Sequence, residues 1–462
     1  MGDKRRSKQS YKRSAAQERG RRRSQPKAPL EEAPFELDIE GLSHDGRGIA
    51  RWREKTLFVS GALPTERVTA KQTAAHGRFN EAKTVSVIRE SADRITPPCQ
   101  HYKRCGGCDL QHQAIEAQVL SKQTAVLDQI QRWGGLSAER VLPPLTAEPI
   151  AYRAKARLAV HWQRNGQPSL GFREAGSKQI VPIQQCPVLD PRLNRLIKPL
   201  ETWLESIERH RPVTHIELVA GDESACVIVR HNRVLEPSDI ERLSILEQDY
   251  DVVVYRQQDS GRQLLSLEGE RCDPRLRYAL PNCDLTLAFH PMDFIQVNLE
   301  LNRRMVNQAL DLLQLSETDK VADLFCGVGN FTLPMAKVAR EVIGIEAQES
   351  MVERGRENAG TNGLENASFM AADLEKSIAA ALLGKGKLDA MLLDPPRNGA
   401  AGAMPLIAQL LPSRIVYISC NPSTLARDAG LLAEQGYRLD TVGIMDMFPQ
   451  TSHVETMALF VQ

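Results

Sequence analysis

Cys420 stands in the run Ser419-Cys420-Asn421-Pro422-Ser423, where Asn421 is a good helix cap and Pro422 a good first helical residue. A cysteine at the start of a helix is expected to have a lowered thiol pKa and to act as a nucleophile, whereas one inside a strand is inert. A second run, Asp394-Pro395-Pro396-Arg397, ends an apolar stretch. Amine-methylating sites commonly hold an uncharged Asn before such a Pro-Pro pair, so an aspartate with a nucleophilic cysteine points instead to carbon methylation of a pyrimidine. Uracil C5 is a poor nucleophile until a thiolate adds at C6, and a base must later remove the C5 proton. Glu455, the one acid between His453 and Phe460, is the candidate base. Partial burial would raise its pKa toward neutrality, although read alone it is an edge-strand carboxylate facing water.

The methyl donor would need its own pocket. Ala322 to Phe331 reads Ala-Asp-Leu-Phe-Cys-Gly-Val-Gly-Asn-Phe, in which Gly327 and Gly329 allow a tight turn and a close backbone approach to a ligand. Thr332 occupies the place of the third dinucleotide glycine, which counts against NAD. Glu346 closes the next strand, where a carboxylate can accept from both ribose hydroxyls, and Asp373 follows the third strand on the adenine side. S-adenosylmethionine, an adenosine with an amino-acid end, fits this arrangement.

Cys99, Cys105 and Cys108 form a C-x5-C-x2-C run, with Cys186 in Gln-Gln-Cys-Pro as a fourth candidate ligand. Four thiolates suit either a [4Fe-4S] cluster or zinc, and the glycine pair Gly106 and Gly107 permits tight wrapping around a metal. Cys226, Cys272, Cys283 and Cys326 lack partners at ligand spacing and are assigned to packing.

The elements that must position these residues follow from periodicity. From Asp293 onward an amphipathic helix, Phe294 to Leu315, precedes strands at 320–325, 341–346, 367–370, 388–394 and 414–419 with helices between them. This is a doubly wound, mostly parallel sheet whose ligands gather at the strands' carboxyl ends. Residues 151 to 290 are strand-rich with helical interruptions, an α+β domain on antiparallel sheet that includes a strand from Arg277 to His290. Short strands punctuated by glycines from residue 35 to 88 suggest a five-stranded barrel of the OB type.

Composition bounds the rest. With 462 residues, 42% of them hydrophobic, and 26 prolines, the chain is multidomain and globular. Its longest uncharged stretch, Asn398 to Ser413, is too short and too proline-broken to span a membrane, and no apolar segment follows the basic N-terminus as a secretory signal requires. A cytoplasmic protein is expected, in which nine cysteines mean ligation or catalysis and not disulfides. The net charge of +1 hides a tail, residues 1 to 29, with eleven Lys/Arg against Asp3 and Glu18. Such a tail is either a nucleic-acid contact or a solvated, disordered extension.

Taken together, the chain closely resembles the RNA uracil-C5 methyltransferase family, in particular the bacterial 23S ribosomal RNA methyltransferases with an N-terminal TRAM domain. The motifs are Gly41 to Ala50, the cysteine run, Phe294-Ile295-Gln296-Val297-Asn298, the Asp323 to Phe331 loop, Asp394 to Arg397 and Ser419 to Ser423. The resemblance implies a multidomain α/β chain: a disordered tail (1–30), an OB-like TRAM barrel (31–90), a central α+β domain with a four-cysteine iron-sulfur cluster (91–290, of which 110–150 packs on the catalytic domain) and a Rossmann-like S-adenosylmethionine methyltransferase domain (291–462). It implies a [4Fe-4S] cluster on Cys99, Cys105, Cys108 and Cys186. It implies that Gln296, Phe325, Asn330, Glu346, Asp373 and Asp394 contact S-adenosylmethionine or shape its pocket, with Cys420 as nucleophile and Glu455 as base. Transfer-RNA relatives lack both the barrel and the cluster, so 23S ribosomal RNA is the expected partner, bound by a monomer with no obligate protein partner. One departure is Thr65, where the TRAM pattern favours glycine before Glu66.

Overall fold

Apolar strands buried on both faces belong inside a parallel sheet with helices on each side, and the C-terminal half builds one. The structure, a computed structural model, describes residues 30–207, 211–258, 261, 263–372 and 387–462. The basic tail up to residue 29 and Asp373 lie outside the described residues. The sheet has eight strands, in the order Ala367–Ala371, Glu341–Glu346, Lys320–Leu324, Ala390–Leu393, Arg414–Ser419, Glu455–Val461, Arg438–Met445 and Arg140–Val141. Neighbours are parallel except around Glu455–Val461, which runs against both of its neighbours.

Two features of this order place the site. Chain progression reverses between Lys320–Leu324 and Ala390–Leu393, which leaves a crevice beyond their carboxyl ends. Because the strand Glu455–Val461 is reversed, its first residue, and not its last, arrives at that same edge.

The helix expected from Phe294 begins instead at Leu299 and runs to Leu313, because the Asn298 side chain caps it by accepting from the Leu301 N–H at 3.1 Å. Its buried stripe of Leu301, Met305, Val306, Ala309 and Leu312 covers the sheet. Gln314 ends the helix at φ 45°. Phe294 to Val297 thereby form a loop, with Phe294 73% exposed.

The central sheet also has eight strands, ordered Ile180–Pro182, Pro168–Arg173, Lys155–Trp162, Val213–Ala220, Ala225–His231, Val253–Gln258, Leu264–Leu265 and Arg271–Cys272. All pairs are antiparallel except Ala225–His231 with Val253–Gln258, which the helix Pro237–Tyr250 connects. The single strand expected from Arg277 to His290 is a hairpin, Leu276–Leu280 with Leu285–Phe289, since Pro281 starts a turn that Asp284 closes at φ 50°. Residues 95–114 hold three of the candidate ligands without regular helix or strand. The helix Ile115–Gln129 follows and packs on Pro422–Glu434, where Ser423 donates to Gln129 Oε1 at 2.8 Å. Among the described residues no helix is long and apolar enough to cross a membrane.

Residues 30–43 and 47–92 make a separate compact unit. Six strands, one more than expected, form its sheet in the order Phe35–Asp38, Arg67–Ala75, Phe79–Arg89, Lys55–Ser60, Gly48–Trp52 and Gly41–Leu42. The sheet encloses one apolar cluster that includes Leu37, Ile39, Leu57, Val59 and Val68. Thr65 has φ 69°, so the place where glycine is favoured does take the left-handed conformation.

Candidate active site

Lys320–Leu324 ends in a turn bent by three closely spaced demands on φ: 67° at Phe325, 57° at Gly327 and 98° at Gly329. Phe325 and Cys326 both donate their amides to the Ile345 carbonyl, at 2.8 and 3.0 Å, so the turn is locked to the neighbouring strand. Glu346, at the end of that strand, accepts from the Gly327 N–H at 3.3 Å and the Gln348 N–H at 3.0 Å. Its carboxylate therefore borders the glycine turn.

Asp323 is fully buried. Thr332 donates to its Oδ2 at 2.5 Å, while Oδ1 has no hydrogen-bond partner among the described residues. Burial pushes its carboxyl up to about 8, the Thr332 hydrogen bond opposes the rise, and the charges of Asp394 and Glu346 add to it. Burial alone lifts Asp394 to about 7. Three carboxyl groups thus lie toward the carboxyl ends of three neighbouring strands, an environment that favours a cationic ligand.

The other expected pocket residues fare differently. Asn330 spends its amide on a reciprocal pair with Asn302, both bonds 2.9 Å, and its Oδ1 also accepts from the Tyr278 hydroxyl at 2.9 Å. Its side chain braces the turn. Gln296 lies half-buried in the loop ahead of the Asn298 cap.

Cys420 follows the strand Arg414–Ser419 directly, and Asn421 caps the next helix by accepting from the Ser423 N–H at 3.1 Å. Ser419 pairs with Thr456 across the antiparallel ladder, so Cys420 and Glu455 are neighbours at the sheet edge. The expected lowering of the thiol does not occur: burial pushes Cys420 up to about 11, Glu455 and Asp394 contribute to the rise, and Arg397 opposes it. A helix start is outweighed here by desolvation beside two acids. Glu455 is 5% exposed and lies well above the usual carboxylate range, through burial first and Asp394 second, again opposed by Arg397. Arg397 Nη2 lies 3.3 Å from His453 Nδ1, and the Arg397 carbonyl accepts from Asn421 Nδ2 at 3.0 Å.

Cys105, Cys108 and Cys186 all have raised thiol pKa values, with Cys108 up to about 12 and Cys186 up to about 11. Burial is the first cause in each, and the other thiols of the set, Cys99 included, are further ones. The thiols thus lie near enough to act on one another's charge. Gly106 donates to the Arg173 carbonyl at 2.9 Å, and a Cβ on it would come within 3.1 Å of that oxygen, so a larger residue would need the backbone around it to shift. Among the described residues no three His, Cys, Asp or Glu side chains form a group that could hold a single metal ion.

The profile of the tRNA (Uracil-5-)-methyltransferase family matches residues 142–462, and that of the TRAM domain matches residues 34–85. The chain belongs to the uracil-5-methyltransferase family. It is 48% identical to the 23S rRNA (uracil(1939)-C(5))-methyltransferase RlmD of Alkalilimnicola ehrlichii, across 96% of this chain and 98% of that one. With the protein of the same name from Alcanivorax borkumensis it shares 45% identity, across 95% and 98%. Its fold is similar to the crystal structure of Pyrococcus abyssi tRNA (uracil-54, C5)-methyltransferase in complex with S-adenosyl-L-homocysteine: TM-score 0.71, 24% identity, covering 92% of this chain and all of that one. In this uracil-5-methyltransferase, sequence reasoning named Arg397 and Asp323 only as motif members. It missed Asn302 and Tyr278 altogether, since nothing local marks them as partners of Asn330.

Proposed function

We propose that this methyltransferase moves the methyl group of S-adenosylmethionine to C5 of a single uridine of 23S ribosomal RNA, the one corresponding to position 1939 in the names of its relatives. The observation that carries the chemistry is the placement of Cys420 beside Glu455 at the edge where Asp323, Glu346 and Asp394 converge. S-adenosylmethionine, when bound there, supplies an electrophilic methyl on a positively charged sulfur. The orphaned Asp323 Oδ1 and the glycine turn, with Glu346 beside it, fit such a cation carrying a ribose. Gln296, Phe325, Asn330 and Asp373 complete or shape the pocket.

Cys420, as thiolate, adds to C6 of the uracil, and the electron pair moves to C5, which takes the methyl group. Glu455 then accepts the C5 proton. The C–H pair reforms the C5–C6 double bond, the C6–S bond breaks and the thiolate departs with its pair. The target uridine must leave its stack to reach Cys420, at a cost on the order of a few kcal/mol.

Cys99, Cys105, Cys108 and Cys186 would hold a [4Fe-4S] cluster, which binds four thiolates at once. Buried thiols that raise one another's pKa fit a cationic group that takes them deprotonated. The cluster's part is structural or RNA-positioning, since the methyl transfer needs no electrons. The N-terminal unit, a TRAM barrel in this reading, and the basic tail hold flanking RNA through phosphate contacts that weaken with salt. The protein works in the cytoplasm as a monomer.

Labelled S-adenosylmethionine offered with unmodified 23S RNA and, in parallel, unmodified transfer RNA tests the reading. Label on one 23S uridine is expected. Label on transfer RNA alone would keep the chemistry and overturn the substrate. Tight RNA binding with no label on either would leave an RNA-binding assembly factor.

A further inference from the structure

The chain from Asp446 to His453, just ahead of the strand that starts at Glu455, has no helix or strand of its own. Side chains from residues 109–152 hold it nearly residue by residue. Lys122 Nζ lies 2.6 Å from Asp446 Oδ1 and donates to the Phe448 carbonyl at 3.3 Å. The Tyr152 hydroxyl donates to the Pro449 carbonyl at 3.1 Å. Gln118, wholly buried, accepts from the Gln450 N–H at 3.0 Å and donates to its side-chain oxygen at 3.2 Å. The amides of Asp109 and Leu110 both donate to the Gln450 carbonyl, at 3.1 and 3.0 Å. The last clamp is two-pronged: Ser452 donates its N–H to Asp109 Oδ1 at 2.6 Å and its hydroxyl to Asp109 Oδ2 at 2.8 Å.

We propose that Asp109 is a positioning residue for proton abstraction: by clamping Ser452 it fixes the approach of Glu455 to uracil C5. The inference rests on the reading of Cys420 as nucleophile and Glu455 as base. Glu455 is the first residue of its strand, so the ladder anchors it on one side and the clamped loop on the other. Cys420 follows a different strand, Arg414–Ser419, and is held by the helix cap at Asn421, which does not touch Ser452. Loosening Ser452 therefore leaves thiolate addition and methyl capture in place and slows the second half. In that half the Glu455 carboxylate takes the C5 proton, the C5–C6 double bond reforms and the C6–S bond breaks. Because Asp109 follows Cys108 directly, the clamp also ties the cysteine-bearing turn to this step.

The test uses the full chain with RNA containing ordinary uridine and S-adenosylmethionine, and reads turnover, denaturation-resistant protein–RNA adduct and iron per chain. Asp109→Ala is expected to lose on the order of a hundredfold in kcat, the scale of a misplaced catalytic group. KM for RNA should change less than about threefold. Methylated adduct should accumulate as it does in Glu455→Gln, with iron content unchanged and partial recovery in Asp109→Asn. Should Asp109→Ala lose its fold or its iron, Ser452→Ala, which removes only the hydroxyl prong, is expected to accumulate the same adduct to a smaller extent. Slow turnover without adduct in these variants, or turnover equal to the parent, overturns the clamp while adduct in Glu455→Gln upholds the base. No adduct in Glu455→Gln overturns the assignment of the base itself.

Discussion

Ser419 and Thr456 face each other across the two antiparallel strands at the site, so that one step further along each strand toward the edge Cys420 meets Glu455. The proposed nucleophile and base, 35 residues apart in sequence, thereby stand at the ends of two paired strands.

Cys420→Ala is expected to abolish turnover, by more than about a thousandfold, because the proposed covalent step runs through its thiolate. RNA containing 5-fluorouridine, which traps the adduct with the parent protein, should form none with the variant on a denaturing gel. Undiminished adduct would move the nucleophile elsewhere.

A thiol at about 11 beside a buried acid makes the reaction alkaline-favoured. Cys420 must lose its proton before it adds to C6, so kcat/KM is expected to rise about tenfold per pH unit between roughly pH 6.5 and 9, without a plateau. Arg397 holds both groups lower than burial alone would. Arg397→Gln should shift the whole profile to higher pH, with the largest loss near neutrality and recovery as pH rises. A uniform loss at every pH would deny Arg397 this electrostatic part.

Asp323 and Asp394 have folded-state values of about 8 and about 7, above their ordinary ones. In that interval the folded protein keeps protons that the unfolded chain releases, so stability without cofactor is expected to fall as pH rises from about 5 to 8 and to level off above. Asp323→Asn should flatten the slope in thermal unfolding. A cationic donor favours the ionised carboxylates, so S-adenosylmethionine should bind more tightly at about pH 8.5 than at about pH 6, measured by calorimetry.

Lys122 and Asp446 are 3% and 2% exposed and 2.6 Å apart. Lys122→Met leaves Asp446 buried without its partner and is expected to cost about 3–5 kcal/mol in denaturant unfolding. The double change Lys122→Met with Asp446→Leu should recover most of that loss.

Local chemistry in the chain announced part of this arrangement. Asn421 and Pro422 mark a helix start within three residues, and the structure has the cap at 3.1 Å. The turn through Gly327 and Gly329 was legible for the same reason, since positive φ favours glycine. What failed depended on distance. The sign of the Cys420 shift is set first by burial, to which Glu455 and Asp394 add, and nothing within the local run carries that information. The expected strand through Pro281 overrode a turn signal because the flanking residues are apolar on both sides. The loop before Glu455 takes its order from Asp109, Gln118 and Lys122, more than about 300 residues earlier in the chain.

The two-residue strand Arg140–Val141 lies outermost on the C-terminal sheet, parallel to Arg438–Met445. Leu142 and Leu145 donate their amides to Val442 and Ile444, at 2.8 and 2.9 Å, while Pro143 and Pro144 between them have no N–H to offer. A long, flat rim of open backbone groups is the usual template on which a foreign chain stacks. Here that rim is taken up by a short strip punctuated with imino acids, to which another strand can add little. The segment thus closes one margin of a sheet rich in valine, isoleucine and methionine to the addition of a further strand.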